Sequence, residues 1–327
     1  MGHLYIPWWP ASFGVFSFYI ISGFLMSLIL NEHYGFSIHG FKGFWVNRFL
    51  RLYPAYSLAC LLSIIVILYL PAEFVIQKNS KMILPETPRE LITNITIFGL
   101  VQQPNRSSLV PPAWALSIEI FYYFIISIWA GRSKKNAFAF LSLGAAYLFV
   151  VYVIRDFDWW YRYFHIGAGA LPFAVGVNMY FHKKLIERTI VRLGWKNAFA
   201  LSITSYILCF AGAALYGHEK TFFFYLNIIT TALLFTTLWN FPKKTYKKID
   251  SFFGNLSYFT YLIHWQIGIA IAYVGNFQWK SPALFWVSLA VVTVLSIVEA
   301  RTVSGPIERH RKKIKMDINA KQTNVSA

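Results

Sequence analysis

The sequence predicts an all-α integral membrane protein that crosses the bilayer many times. Its 327 residues have a mean hydropathy of +0.49, and 57% of them are hydrophobic. Only 13% are charged, about half the share of a typical soluble domain, which leaves too little polar surface to cover a soluble core. The hydrophobic residues also fall in blocks of about 20, the length that a helix needs to cross a hydrocarbon layer of ~30 Å.

Nine hydrophobic blocks are long enough to be membrane spans. A further stretch, residues 91–101, is too short to cross as a helix and is expected to be re-entrant or interfacial. The nine predicted spans are 11–30, 53–71, 112–130, 136–154, 164–181, 197–216, 222–241, 257–275 and 283–300.

Lys and Arg are distributed unevenly over the segments between these spans. Alternate segments, from 31–52 to the C-terminal 301–327, carry 22 of the 30 Lys and Arg residues. Because cytoplasmic loops are enriched in these residues, this side and the C-terminus are predicted to be cytoplasmic. The net charge of +17 is then largely a topology signal, so no nucleic-acid partner is needed to explain it.

The chain is predicted to form one membrane-embedded domain, residues 1–308, followed by a short tail. Residues 309–327 are polar and basic, which indicates a frayed cytoplasmic end. Cys60 and Cys209 lie in separate spans and are too few for a disulfide framework or a thiolate metal site. No metal site is expected.

Glu119 is one of two acidic residues inside the predicted spans. It lies roughly 10 Å from the outer end of span 112–130, at a rise of about 1.5 Å per residue. Tyr122 and Tyr123 follow at i+3 and i+4, where their hydroxyls can share a face with it. A charge in the membrane interior costs about 2.5–3.5 kcal/mol, so a site-lining carboxylate is preferred. A neutral Glu that bonds a neighbouring helix is the alternative.

A second polar group lies inside span 257–275. Tyr258, Tyr261 and His264 recur every three residues, and Trp265 follows Tyr261 at i+4, so these side chains form one stripe along a helix. A stripe that faces a cavity is preferred over a core histidine bonded to a neighbouring helix.

Three basic residues lie near membrane borders. Arg48 and Arg51 share a helical face on the cytoplasmic side, where guanidinium groups suit a phosphate-bearing ligand; anchoring to lipid phosphates is the alternative. Arg162 lies near the outer end of the fifth span.

At the inner border, Glu299 precedes Arg301 and is expected to form an interfacial ion pair with it.

Six segments along nearly the whole chain resemble, in order, the motifs of the membrane acyltransferase-3 family. Each segment alone is weakly specific, but the ordered set is quite specific. The six are GVFSFYIISGFL (14–25), NRFLRLYP (47–54), WALSIEIFYY (114–123), RYFHIGAGALPFAVG (162–176), GNLSYFTYLIHW (254–265) and PIERHR (306–311).

The resemblance implies an O-acyltransferase with about ten helices in a bacterial inner membrane. Such an enzyme moves an acyl group, typically acetyl, from cytoplasmic acyl-CoA to a hydroxyl of a cell-surface carbohydrate such as O-antigen, capsule or exopolysaccharide. The implied partners are acyl-CoA as a co-substrate, a carbohydrate acceptor that can be lipid-linked, and membrane lipids. No bound cofactor is expected.

In the family, the first helix carries an Arg and then, about ten residues on, a His to which catalysis is assigned. His3 lies 11 residues before Gly14, about where that His would stand. The Arg and most of the helix have no counterpart before it. The sequence is therefore expected to be a family member whose first helix is missing, and an inactive truncated member is one alternative for its function.

The resemblance also implies roles for the candidate residues. His3 would be the catalytic base, with Glu119 as a second catalytic residue, and Arg48 and Arg51 would hold the CoA phosphates. The residues expected to line the substrate cavity are Arg162, Tyr258, Tyr261, His264 and Trp265. Direct transfer is favoured over an acyl-enzyme, because no Ser or Cys lies in a nucleophile motif such as G-x-S-x-G.

A transporter or flippase for a lipid-linked sugar or a small solute is the competing class. It would show the same spans and the same few buried ionisable groups. Internal repeats are common in transporters, and none is evident here.

Overall fold

The computed structural model describes most of the chain and confirms the all-α class. Within the described residues every regular element is helical. The described ranges are 11–100, 106–216, 222–240 and 247–325.

These ranges contain thirteen α-helices. They are α1 (Ala11–Ile29), α2 (Ile38–Tyr69), α3 (Ala72–Lys78), α4 (Pro88–Thr96), α5 (Trp114–Ile125), α6 (Lys134–Ile154), α7 (Ala170–Phe181), α8 (Lys183–Leu193), α9 (Trp195–Tyr216), α10 (Phe222–Trp239), α11 (Lys247–Val274), α12 (Pro282–Glu299) and α13 (Gly305–Val325).

Contacts among the helices divide the described residues into two compact units. Unit A contains α2–α4, the start of α5 up to Ser117, and α11–α13. Unit B contains α1, the rest of α5 from Ile118, and α6–α10. Each unit is therefore assembled from segments that are distant in the sequence.

Seven helical segments of the described chain are long and apolar enough to cross a membrane, and they match seven of the nine predicted spans. The other two predicted spans correspond to α7, which has only 12 residues, and to α11, which has 28 residues but polar side chains in its interior. Large apolar side chains on the helices long enough to cross a membrane are exposed, including Phe149 (67%), Leu208 (65%) and Trp286 (64%). Exposure on this scale fits lipid-facing surfaces, so the chain is an integral membrane protein.

Three helices of unit A extend beyond the predicted spans into segments rich in Lys and Arg. The end of unit A formed by these segments, which contain Arg48 and Arg311, is called its basic end. Helix α2 begins at Ile38 rather than at residue 53, and its 32 residues give a length of about 48 Å, against ~30 Å of hydrocarbon. Helix α11 likewise begins at Lys247, and α12 continues through the π-helical turn Ala300–Ser304 into α13. The expectation of a frayed end from residue 309 was wrong, because the chain there is helical and α13 packs against α2. Charged residues lower hydropathy without ending a helix, which is why the predicted spans were too short.

Unit B is organised by a close crossing of α1 and α7. A Cβ added at Gly23 would lie 2.3 Å from the carbonyl oxygen of Phe173, and one at Gly176 would lie 2.0 Å from that of Ile20. Only glycine permits this approach of the two backbones.

The loop around α4 in unit A is fastened by polar side chains. The side chain of Thr87 accepts the backbone N–H of Glu90 and caps α4. The buried Asn94 donates to the carbonyl of Ser107 (3.2 Å) and accepts from the backbone N–H of Leu109 (2.8 Å). Helix α4 has nine residues and exposes apolar side chains such as Leu91, so it is too short to cross a membrane; a re-entrant or interfacial position for residues 91–101 stays a prediction.

Candidate active site

Glu119 is fully buried in unit B, on α5. Its Oε1 accepts a hydrogen bond from the hydroxyl of Ser22 on α1 (3.0 Å) and another from Tyr123, one turn further along α5. The prediction for Tyr123 is confirmed. The hydroxyl of Tyr122 instead donates to the backbone carbonyl of Ile166 (2.9 Å), so only one of the two predicted tyrosines orients the carboxyl group.

Ser22 was not predicted as a site residue. It lies in the segment 14–25, directly before Gly23, whose contact with Phe173 brings α1 and α7 together. Its position in an apolar span was a usable signal, since a polar side chain there needs a partner. The sequence does not show that the partner is Glu119, 97 residues away.

Arg162 of unit B lies among aromatic side chains. It belongs to the π-helical turn Trp160–Phe164 and is 6% exposed. The carbon at the centre of its guanidinium group is 3.9 Å from the ring centroid of Phe157 and 5.3 Å from that of Trp159. Both distances are within the range of cation–π contacts, so aromatic rings hold this guanidinium in place.

In unit A, the hydroxyl groups of Tyr258 and Tyr261 fasten α11 to neighbouring backbone. Tyr258 donates to the carbonyl of Leu52 on α2 (3.0 Å), and Tyr261 donates to the carbonyl of Pro112 in the turn before α5 (2.9 Å). These contacts position the helix that carries His264. The predicted cavity-lining role of the two tyrosines stays a prediction.

His264 is buried, and one of its ring nitrogens contacts the backbone. Its Nδ1 lies 2.7 Å from the carbonyl oxygen of Tyr261. A carbonyl only accepts, so Nδ1 carries a hydrogen and Nε2 carries the lone pair when the ring is neutral. Trp265 points into different surroundings: it packs against an apolar cluster that contains Val66 and Ile269.

Arg48 lies in a polar network at the basic end of unit A. The Oδ1 of Asn47 accepts hydrogen bonds from Arg48 (3.0 Å) and from Arg311 on α13 (2.9 and 3.1 Å). Arg311 also pairs with Glu308. Arg48 is 7% exposed, whereas Arg51 is exposed to the surroundings, so two arginines meet at one amide oxygen and the predicted partner Arg51 is outside this group.

Asn47 and Arg311 are site candidates that the sequence did not single out. Both lie in segments that carry the family resemblance, 47–54 and 306–311, but they are separated by 264 residues. Their contact follows from the packing of α13 on α2, for which the sequence contains no local signal.

The predicted ion pair between Glu299 and Arg301 is not formed. Glu299 is buried and accepts a hydrogen bond from Ser304 (2.6 Å), whereas Arg301 is exposed. The reason is local: the π-helical turn Ala300–Ser304 brings residue i+5 near Glu299.

Some predictions about the site concern parts of the chain or ligands outside the structure. His3 lies outside the described residues. Cys60 and Cys209 are both free thiols. Across the residues with described positions, no three His, Cys, Asp or Glu side chains are grouped so that they could hold a metal ion.

Comparison with protein families adds one finding to this geometry. A family model described as an acyltransferase domain, that of the acyltransferase-3 family, matches residues 5–299. No curated protein and no solved structure matches the chain significantly. The match includes Ser22, Arg48, Glu119 and His264, whereas Arg311 lies beyond it.

Proposed function

The chain belongs to the membrane acyltransferase-3 family, and we propose that it is an O-acetyltransferase that acts between cytoplasmic acetyl-CoA and a cell-surface carbohydrate. Membership in the family makes it a membrane acyltransferase. The donor, the acceptor and the residue roles are the proposal. The observation that carries it is the meeting of Arg48 and Arg311 on Asn47 at the basic end of unit A.

The donor side rests on the chemistry of these arginines. CoA carries several phosphate groups, and one planar guanidinium group can donate two parallel hydrogen bonds to two oxygens of a phosphate. The amide of Asn47 holds both guanidinium groups from one side, which orders them before a ligand arrives. Arg51 is exposed nearby on α2 and adds positive charge for the approach of the donor.

The sidedness of the donor site follows from charge. The basic segments are assigned to the cytoplasm by the positive-inside rule, and Arg48 and Arg311 lie in two of them. The proposal therefore includes a bacterial inner membrane with the C-terminus in the cytoplasm, where acyl-CoA is available.

The proposed reaction is a direct transfer. The acceptor hydroxyl oxygen attacks the thioester carbonyl carbon while a base removes its proton, and the carbon–sulfur bond then breaks. The proton ends on the departing thiolate, which leaves as free CoA, and an ester remains on the sugar. Preorganised hydrogen-bond donors would stabilise the oxyanion of the tetrahedral intermediate.

Within this scheme the residue roles are as follows. His3 is the proposed base, by its position relative to the family motif. Glu119, oriented by Ser22 and Tyr123, is proposed to polarise the reacting groups. His264, with its Nδ1 hydrogen directed to the backbone, is proposed to present Nε2 to the substrate. Arg162 is proposed to contact the acceptor.

Transfer of labelled acetyl from acetyl-CoA tests the proposal. Membranes that contain the protein are expected to convert carbohydrate acceptors to base-labile acetyl esters and to release CoA. His3→Ala should abolish transfer while the protein inserts normally. Unchanged transfer in this variant would remove His3 from the mechanism, and absence of labelled ester from all envelope carbohydrates would contradict the proposed acceptor class.

A further inference from the structure

Helix α8 of unit B is short and strongly amphipathic, and in the sequence it lies between the apolar helix α7 and the membrane helix α9. Its apolar side chains other than the exposed Val191, together with Thr189, fall on one face. The basic residues Lys184, Arg188 and Arg192 recur every fourth position and form a row along the adjacent edge of that face. This pattern is typical of a helix that lies in the membrane interface.

A cavity of about 490 Å³ lies under the apolar face of α8. Side chains of α7, α8, α9 and α10 line it, and its few polar groups are the hydroxyls of Ser and Thr residues. The volume is within the usual range for sites that enclose a small molecule, about 300–1,000 Å³. A hydrocarbon chain suits this lining.

The cavity reaches the lipid-facing surface. The lining residues Leu185 (61%), Leu201 (62%) and Ile229 (59%) are largely exposed, and α9 and α10 are among the helices that can cross the membrane. The opening therefore suits entry of a hydrocarbon chain from the bilayer.

The basic row beside this opening lacks acidic partners among the described side chains. Lys183, outside the row, is paired with Glu32. Lys184, Arg188 and Arg192 are all exposed and take part in no ion pair of the described residues. A row of this kind attracts the phosphates of anionic lipids.

We propose that this cavity is a binding site for an anionic glycerophospholipid of the cytoplasmic leaflet. One acyl chain occupies the cavity, and the phosphate of the head group lies against Lys184, Arg188 and Arg192. The apolar cavity suits a hydrocarbon chain and the basic row suits a phosphate, so a single molecule that carries both groups fits the whole site. The site is independent of the proposed acyl transfer, because none of its residues belongs to the proposed catalytic or donor groups.

A photo-crosslinking experiment tests this site directly. The purified protein is reconstituted in phosphatidylcholine bilayers that contain a trace of phosphatidylglycerol with a photoreactive group in one acyl chain. We expect crosslinks to the cavity residues of α8, α9 and α10. The combined variant Lys184→Gln, Arg188→Gln, Arg192→Gln should reduce them by about tenfold or more, given the contribution of each basic residue at an anionic surface.

Two controls make the outcome specific. The variant Arg132→Gln, Lys134→Gln, Lys135→Gln removes the same charge from another basic segment of unit B, at the start of α6, and should leave the crosslinks unchanged. The variant Ala232→Phe fills the cavity without changing the charge and should also reduce them; thermal unfolding shows whether it is folded.

Four results would overturn the proposal, three of them by removing the anionic lipid site altogether. Those three are unchanged crosslinking in the Gln variant of the basic row, equal crosslinking by a phosphatidylcholine probe, and displacement of the probe by acetyl-CoA or inorganic phosphate at concentrations that do not disrupt the bilayer. The fourth, preferential displacement by a polyprenyl phosphate, would assign the site to a lipid carrier instead.

Discussion

At the scale of single residues, two hydroxyl groups orient the carboxyl group of Glu119. Ser22 and Tyr123 both donate to its Oε1. A carboxyl group inside a membrane protein needs such donors to keep one orientation. If Glu119 acts on the reacting groups, loss of the Ser22 or Tyr123 hydroxyl should lower the rate of acyl transfer more than it lowers the stability of the folded protein.

Removal of these two hydroxyls provides the first prediction. Ser22→Ala and Tyr123→Phe should each lower kcat by about tenfold, as loss of a positioning hydrogen bond worth about 1–2 kcal/mol does, with little change in KM for acetyl-CoA. Tyr122→Phe is the matched control, because that hydroxyl donates to the backbone of Ile166. Equal losses in Tyr122→Phe and Tyr123→Phe would indicate packing effects and not a role through Glu119.

The second prediction concerns the arginines at Asn47. Arg48→Ala and Arg311→Ala should each raise KM for acetyl-CoA by about tenfold, the effect of losing a charge-assisted phosphate contact. Lys42→Ala on the same helix α2 removes an exposed charge and should leave KM unchanged. If KM rises equally in all three variants, general attraction by the basic surface explains the effect and no donor site exists at Asn47.

The ionisable candidate residues could be picked out from the sequence, and so could Tyr123, a partner of Glu119 one helical turn away, whereas the distant partners could not. Glu119 and His264 stand out because ionisable groups are rare in membrane spans, and Arg48 stands out because it shares a helical face with Arg51 at the cytoplasmic border. Ser22 and Arg311 reach their partners only through the packing of helices. For the same reason the expected pair of Glu299 and Arg301 was wrong, since a π-helical turn selected Ser304.

At the scale of helices, the crossing of α1 and α7 depends on Gly23 and Gly176. A methyl group at either position would meet a backbone carbonyl at 2.0–2.3 Å, and a backbone cannot yield as a flexible side chain can. This crossing also brings Ser22 to Glu119 within unit B, so it links packing to the site.

The third prediction follows from this crossing. Gly23→Ala and Gly176→Ala should each lower the free energy of unfolding by about 1–3 kcal/mol, the usual cost of overpacking, seen as a lower unfolding temperature in detergent. Gly14→Ala on α1 is the control, because its Cβ would meet nothing within 4 Å. Equal stability of Gly14→Ala and Gly176→Ala would contradict the close crossing.

The fourth prediction concerns the pH dependence of the loop around α4. The backbone N–H of Glu86 (3.0 Å), and then that of Ser107 (3.3 Å), hold the pKa of Glu90 below its ordinary value of 4.5. A lowered carboxyl pKa stabilises the folded loop above pH 4.5, and this contribution is lost as the pH falls through the folded-state pKa.

Amide hydrogen exchange, corrected for its intrinsic pH dependence, measures this loss. Exchange in residues 79–96 should accelerate below pH 4.5 in the natural protein. Glu90→Gln should exchange faster at neutral pH and show no such change on acidification. Acid-induced acceleration of the same size in Glu90→Gln would assign the pH response to another group.

The sequence predicted the membrane helices well and their ends poorly. Hydropathy reports the part of a helix inside the bilayer, and α2, α11 and α13 continue beyond it as polar helices. The 12-residue α7 is shorter than its predicted span, because the π-helical turn Trp160–Phe164 and the 3₁₀ turn Ile166–Gly169 precede it.

At the scale of the whole molecule, charge and hydropathy describe a membrane protein whose basic end carries the proposed donor site. The 22 Lys and Arg residues of the basic segments have two effects in this account. They are expected to orient the chain in the membrane, and a few of them, Arg48 and Arg311 and the row along α8, are proposed to bind phosphate. The family match establishes acyltransferase chemistry, whereas the direction of transfer rests on the charge distribution.

The central claim is that acetyl passes from acetyl-CoA to an envelope carbohydrate while CoA stays on the basic side. Inverted membrane vesicles supplied with acetyl-CoA that carries one label on acetyl and another on CoA test it most directly. We expect the acetyl label to become covalently bound to carbohydrate and the CoA label to remain outside as free thiol. Arg48→Ala should reduce both the bound acetyl and the released thiol. Entry of both labels together, without release of thiol, would mark a transporter and contradict the account.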